Sequence, residues 1–255
     1  MRPWLLLPLL ALPALAAPVH EALSQGHVDW TRGVLVVTAS GEPSAGAPKA
    51  LEITEQQALN RLQARVLEEQ RLVRLSSQQS VGQRMQEGDE LSAMLMDSAG
   101  NFTISEARYY ASGRVELTAE LPLQSWLRPV LVAEAHGKPA EGSSEYSGVV
   151  IDARGLSLRP CLSPRVLDRE GEVLYSLSEL SPDTAKDQLP VAWVGDPADG
   201  EAIGRAGDNP LFLSADSAAR GGDVVLDPEA AQRFSEAVKS GDLLASARLV
   251  IVADS

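Results

Sequence analysis

YSGVVIDARGLSLRPCLSPRVLDREGEVLY, residues 146–175, is the least generic run in a chain of 255 residues. Residues 148–153 form a short apolar, β-branched run that ends in Asp152, Arg154 and Gly155, the pattern of a buried strand with charge at its exit. Pro160 and Pro164 then exclude helix and impose extended or turning backbone. Val166-Leu167 and Val173-Leu174-Tyr175 flank Asp168-Arg169-Glu170-Gly171, a turn in which Gly171 can take a positive φ. The second half is therefore expected to hold a strand, a proline-ruled crossing and a hairpin. Asp152 and Arg154 stand two residues apart and share a face while the strand persists. With Arg159 and Arg165 they compose a candidate partner-binding ledge for an anion or carboxylate; the alternative is an ion pair that only fixes the strand exit.

Upstream, the chain opens MRPWLLLPLLALPALAAP. A single arginine, an apolar stretch and Ala14-Leu15-Ala16 match the three regions of a secretory signal peptide, so residues 1–16 are expected to be removed by cleavage after Ala16. The apolar stretch falls short of the roughly 20 residues of a membrane span. Export places the protein in the periplasm or outside the cell. Cys161 is the only cysteine, so neither a lipidated residue after the cut nor an internal disulfide is expected. The formal net charge of −13 becomes one unit more negative when Arg2 leaves, which disfavours nucleic acid and anionic lipid as partners.

The remaining length has room for two modest domains. Residues 27–39 read as a strand pair or one bent strand, and 40–48 as loop. The longest helical pattern runs over residues 49–75, starting at Pro48 or at the capping-box spacing of Thr54 and Gln57. Leu59, Leu62, Val66 and Val73 form its apolar stripe, widened by Leu72 and Leu75, and the opposite face is charged. Residues 76–100 carry the weakest pattern, and within them 90–96 read as a short helix or a strand. Residues 102–110 and 114–123 alternate and form a hairpin with one wet face, closed by Ala111-Ser112-Gly113. Pro129 argues against an uninterrupted helix over 126–135, and HGKPAEGSSE, residues 136–145, has the composition of a linker. Further on, 191–194 read as a short strand and 210–215 as another short apolar run, separated by a glycine-rich loop, 195–209. Residues 224–226, a helix entered at Asp227-Pro228-Glu229 and ended by Gly241, and a strand at 249–253 predict a parallel pair joined by a right-handed crossover. The expected class is α+β: a small strand-helix-hairpin domain (17–135), a linker (136–145) and a second α/β domain with a mixed sheet (146–255).

Motifs for chemistry are sparse. His20, His27 and His136 have no His or Cys at metal spacing, and no nucleophile elbow, zincin or Walker sequence occurs. No catalytic residue, cofactor or metal is assigned. Asp196-Pro197-Ala198-Asp199-Gly200-Glu201 gathers three acids for a possible calcium loop but lacks the alternating ligand positions of an EF-hand. The reading is a non-enzymatic binding protein; the alternatives are a calcium-dependent binding module and an enzyme using the Asp152/Arg154 ledge.

GVLVVTASGEP, then an Ala-, Arg- and Gln-rich helix, then a hairpin ending VELTAELPL, resembles the small domain of Helicobacter Lpp-type envelope lipoproteins and the N-terminal domain of flagellar assembly protein T. The run from VVIDARG to SPRVLD, with GDNPLFL beyond it, is similar to uncharacterised exported bacterial proteins. The resemblance implies a structural, assembly or binding role in the envelope, flagellar or outer-membrane, and no catalytic residues. The implied partner is another envelope protein or a peptidoglycan-associated component.

Overall fold

The structure, a computed structural model, describes residues 17–43, 50–139, 142, 144–239 and 242–255. The expected signal peptide, the Pro48 helix start and the Gly241 helix stop lie outside the described residues.

The amino-terminal unit begins with β1 (His20–Ala22), β2 (Gly26–Asp29) and β3 (Val34–Gly41), followed by α1 (Ala50–Leu72). It continues through α2 (Val81–Met85), α3 (Glu90–Ser98), β4 (Thr103–Tyr109), β5 (Val115–Pro122) and α4 (Leu123–Glu134). Its five strands form an antiparallel sheet in the order β1-β2-β3-β5-β4. Along β5 every other residue from Val115 to Leu121 is buried, so the alternation in the sequence matches the face that α1 covers. Helix α1 lays Ala58, Leu62 and Val66 on that face.

The helix ends earlier than its hydrophobic pattern predicts. Leu72 is exposed, whereas Val73 and Leu75 are buried in the bend beyond the end, held by bonds from Val81 N to Val73 O and from Leu75 N to Gln79 O. Thr54 is an interior residue whose hydroxyl donates to Ala50 O, so it does not cap the helix. The ambiguous segment 76–100 folds as two helices, each capped by a side chain: Ser80 with Gln83 in a reciprocal capping box, and Asp89 accepting from Ser92 N. Pro129 lies inside α4, against expectation. A proline inside a helix costs about 3 kcal/mol. Trp126, Leu127, Val130 and Leu131 bury their side chains on one face of α4, at roughly 1.5–3 kcal/mol for a large apolar residue, and that sum prevails.

The carboxy-terminal unit comprises β6 (Gly148–Asp152), β7 (Val166–Leu167), β8 (Val173–Tyr175), α5 (Pro182–Ala185), β9 (Ala192–Val194), α6 (Gly200–Ala206) and β10 (Pro210–Ser214). It closes with β11 (Ser217–Ala219), β12 (Asp223–Val225), α7 (Pro228–Lys239) and β13 (Leu249–Val252). Strands β10-β6-β13-β9 form an all-parallel sheet, and β11-β12-β7-β8 a second, mixed one. The expected α+β class with several sheets is what the chain adopts.

Both faces of the parallel sheet are covered, which is why its strands read as continuous apolar runs. Val149, Ile151, Trp193 and Ile251 face the main core, while Val150, Val194, Val250 and Val252 pack with Ala202 and Ala206 of α6. That helix replaces the loop expected over 195–209: Asp199 caps it, and its buried alanines let it approach the sheet closely. The predicted crossover is also corrected. Strand β12 pairs with β7 and β11, whereas β13 is inserted between β6 and β9, so the strands flanking α7 belong to different sheets. In the β7–β8 turn Gly171 has a φ of 86°, as its position requires.

One apolar cluster runs through both units, from Val19 to Ala253. The start of the expected linker is tied down: His136 N donates to Ser178 O and Gly137 N to Leu180 O, and a Cβ at Gly137 would overlap the Glu179 carbonyl. Among the described residues no helix is long and apolar enough to cross a membrane.

Candidate functional site

The parallel sheet ends in a row shared by Asp152, Ser214 and Val252, with Val252 also opposite Val194. Asp152 stays with Arg154: Nε donates to Oδ1 at 2.9 Å and Nη2 to Oδ2 at 2.5 Å, with both side chains well exposed. The guanidinium holds the Asp152 carboxyl below its ordinary range. Asp254, two residues beyond β13, accepts from Gly155 N and, with Asp196, adds to the negative field at Arg154. Three carboxylates thus surround one guanidinium, and the sheet edge favours cationic over anionic groups.

The other two arginines of the expected ledge are directed elsewhere. Arg159 reaches back to Glu21 of β1, Nη2 to Oε1 at 3.0 Å, where Glu21 also accepts from Trp30 Nε1. Arg165 turns inward to Asp223 at the start of β12. That carboxylate accepts Arg165 N, Nε and Nη2 together with the Ser77 hydroxyl of the amino-terminal unit. Asp223 is fully buried. The four residues therefore do not converge on one surface.

The three acids of the possible calcium loop have separate tasks. Asp196 accepts Ala198 N, Asp199 accepts Glu201 N at the start of α6, and Glu201 lies 3.5 Å from Arg205. Among the described residues no group of three or more His, Cys, Asp or Glu is placed to hold a metal ion. Cys161 is buried, and burial pushes its thiol up to about 12, which leaves it inert as a nucleophile at neutral pH.

A larger opening lies at the amino ends of β9 and β13, where the two units meet. This cleft, of about 910 Å³, is bounded by Trp30 and Arg32 from the amino-terminal unit and by Asp187, Glu201, Arg205 and Arg248 from the other. Most of its charges are already matched. Arg32 makes a two-pronged contact with Glu120 at 3.1 and 3.0 Å. Arg205 donates to the Leu189 and Ala247 carbonyls, and its burial lowers the guanidinium pKa. Arg248 and Asp187 are exposed and, among the described residues, have no side-chain partner. A second opening of about 430 Å³ on the same seam is lined by serines together with His136, Glu134 and Arg165.

No spacing in the sequence marks these residues, because the cleft draws on positions from Trp30 to Arg248. Asp223 likewise stands in an unremarkable strand entry, and only its burial distinguishes it.

No curated protein matches the chain. Residues 148–255, less than half of the chain and the whole of the carboxy-terminal unit from β6 onward, match the family model of Treponema pallidum Tp0624, second domain.

Proposed function

We propose that this is an exported, non-catalytic binding protein of the bacterial envelope, working in the periplasm or outside the cell, and that its ligand seats in the seam cleft. The observation that carries this reading is a cleft of about 910 Å³ in which Arg248 and Asp187 have no side-chain partner among the described residues. A ligand bearing both carboxylate and amine groups complements that pair, and charge-assisted hydrogen bonds to such groups are worth about 1.5–3 kcal/mol each. Peptidoglycan stem peptides carry both groups, in keeping with a peptidoglycan-associated partner.

The finer reading assigns the amino-terminal unit to the kin of Helicobacter Lpp-type lipoproteins and of flagellar assembly protein T, with a role in flagellar or outer-membrane assembly. Its support is the order of β3, α1 and the β4–β5 hairpin. In that role Asp152 and Arg154 would offer a second, exposed contact to an envelope protein.

Titration of the protein with a synthetic stem peptide, followed by tryptophan fluorescence from Trp30 and by calorimetry, tests the cleft. Binding should weaken roughly tenfold or more in Arg248→Ala and in Asp187→Ala, the scale of one lost charged hydrogen bond. No binding by the wild type, or wild-type affinity in both variants, overturns the assignment.

A further inference from the structure

We propose that β4 is a self-association strand, along which a second copy of this chain pairs antiparallel about a two-fold axis at Ala107. Strand β4 is the edge of the five-stranded sheet, and among the described residues nothing pairs with its outer side. All seven of its residues are exposed, although its neighbour β5 buries every other side chain. The exposure extends to the inner face. Ile104, Ala107 and Tyr109 stand opposite Ala119, Leu117 and Val115, each of which is buried, yet α1 covers only the β5 side of that surface. The contact from α1 to β4 is polar, Tyr109 Oη donating to Glu55 Oε1 at 2.6 Å. Of the twelve large apolar side chains that are exposed among the described residues, nine fall within 51–110, so the uncovered surface belongs to this region. An exposed edge with an apolar inner face is a template for strand addition.

Charge complementarity selects a second copy as the occupant. Glu106 and Arg108 flank Ala107 on the outer face and at present bond to each other, Nε to Oε1 at 2.7 Å. With the axis at Ala107, antiparallel pairing sets each Glu106 opposite Arg108 of the other copy, twice per dimer. Moving the axis by one residue in either direction sets Arg108 opposite Arg108 or Glu106 opposite Glu106, and like charges directly opposite are destabilising. The register is thereby specified. The bulge between Ile104 and Glu106 confines regular pairing to the segment that contains these charges.

The test is sedimentation velocity on the full mature chain, with circular dichroism to verify folding. Wild type should sediment as a dimer at micromolar concentration, and Glu106→Arg and Arg108→Glu should each sediment as monomers. Mixing the two variants restores opposite charges at both contacts and should restore the dimer. A monomeric wild type overturns the proposal. So does a dimer that survives in both single variants, and so does a mixture of folded variants that stays monomeric.

Discussion

Two aspartate–arginine pairs stand at the ends of residues 152–165, and their surroundings differ in kind. Asp152 and Arg154 lie at the carboxyl edge of the parallel sheet, with 39% and 45% of their side chains in solvent. Asp223 and Arg165 meet under the seam, where the carboxylate side chain keeps only 1% exposure and also accepts from Ser77 of the other unit. The residue types are the same, and so is the short Nη2–Oδ2 contact. Water separates their roles. At the edge, hydration competes with the guanidinium for the carboxylate, and the pair orders little beyond the strand exit. Under the seam the carboxylate is closed to water, while 29% of the Arg165 side chain stays exposed, so Asp223 depends on its donors, and the pair joins β7, β12 and the amino-terminal unit.

The comparison breaks most directly at Asp223. Asp223→Ala strands the Arg165 guanidinium and leaves the Ser77 hydroxyl without its acceptor, and stability should fall by about 3–5 kcal/mol in urea unfolding. A loss of less than about 1 kcal/mol would place the two pairs in one class. Glu21 sharpens the contrast from between the extremes. Its partner Arg159 is mostly exposed, but it also accepts from the indole of Trp30, a buried residue. Glu21→Ala should therefore cost about 1–3 kcal/mol through the unsatisfied indole N–H, and Arg159→Ala should cost less than about 1 kcal/mol.

The smallest effect belongs to Arg154→Ala, a loss near the limit of measurement at neutral pH, because solvent screens so exposed a pair. Its sign with pH follows from the depressed Asp152 carboxyl. The stabilisation is present above the unfolded carboxyl value of about 3.9 and disappears as pH falls through the lower folded value. Wild-type and variant unfolding curves should converge in acid and stay parallel from pH 5 to 8. A gap that widens in acid would mean that Arg154 serves some other group.

Several elements were legible because their signals are local. The alternation of 115–123 places Val115, Leu117, Ala119 and Leu121 on the buried face, and Asp227 caps α7 by accepting Ala230 N. The capping box of Ser80 and Gln83 was missed, because the segment around it carries no apolar period to set its spacing apart from chance. Pro129 and the glycines of α6 misled for one reason: intrinsic propensity opposes helix at both places, and tertiary burial overrides it. The candidate site was the least legible part. Arg248 and Asp187 line one cleft only once the carboxy-terminal unit has folded, and Trp30 and Arg32 of the amino-terminal unit close its other side.

By itself the sequence determined what chain neighbours settle between them: the strand that ends at Asp152, the turn at Gly171, the amphipathic face of α1 and the partner of Arg154, only two residues away. Tertiary structure decided which carboxylate the other arginines meet. Arg165 finds Asp223 across 58 residues and Arg159 finds Glu21 across 138. Closing loops of that length carries an entropic cost that no pattern within either segment offsets. It is the shared core, assembled from both units, that offsets it and so sets the destination of each side chain.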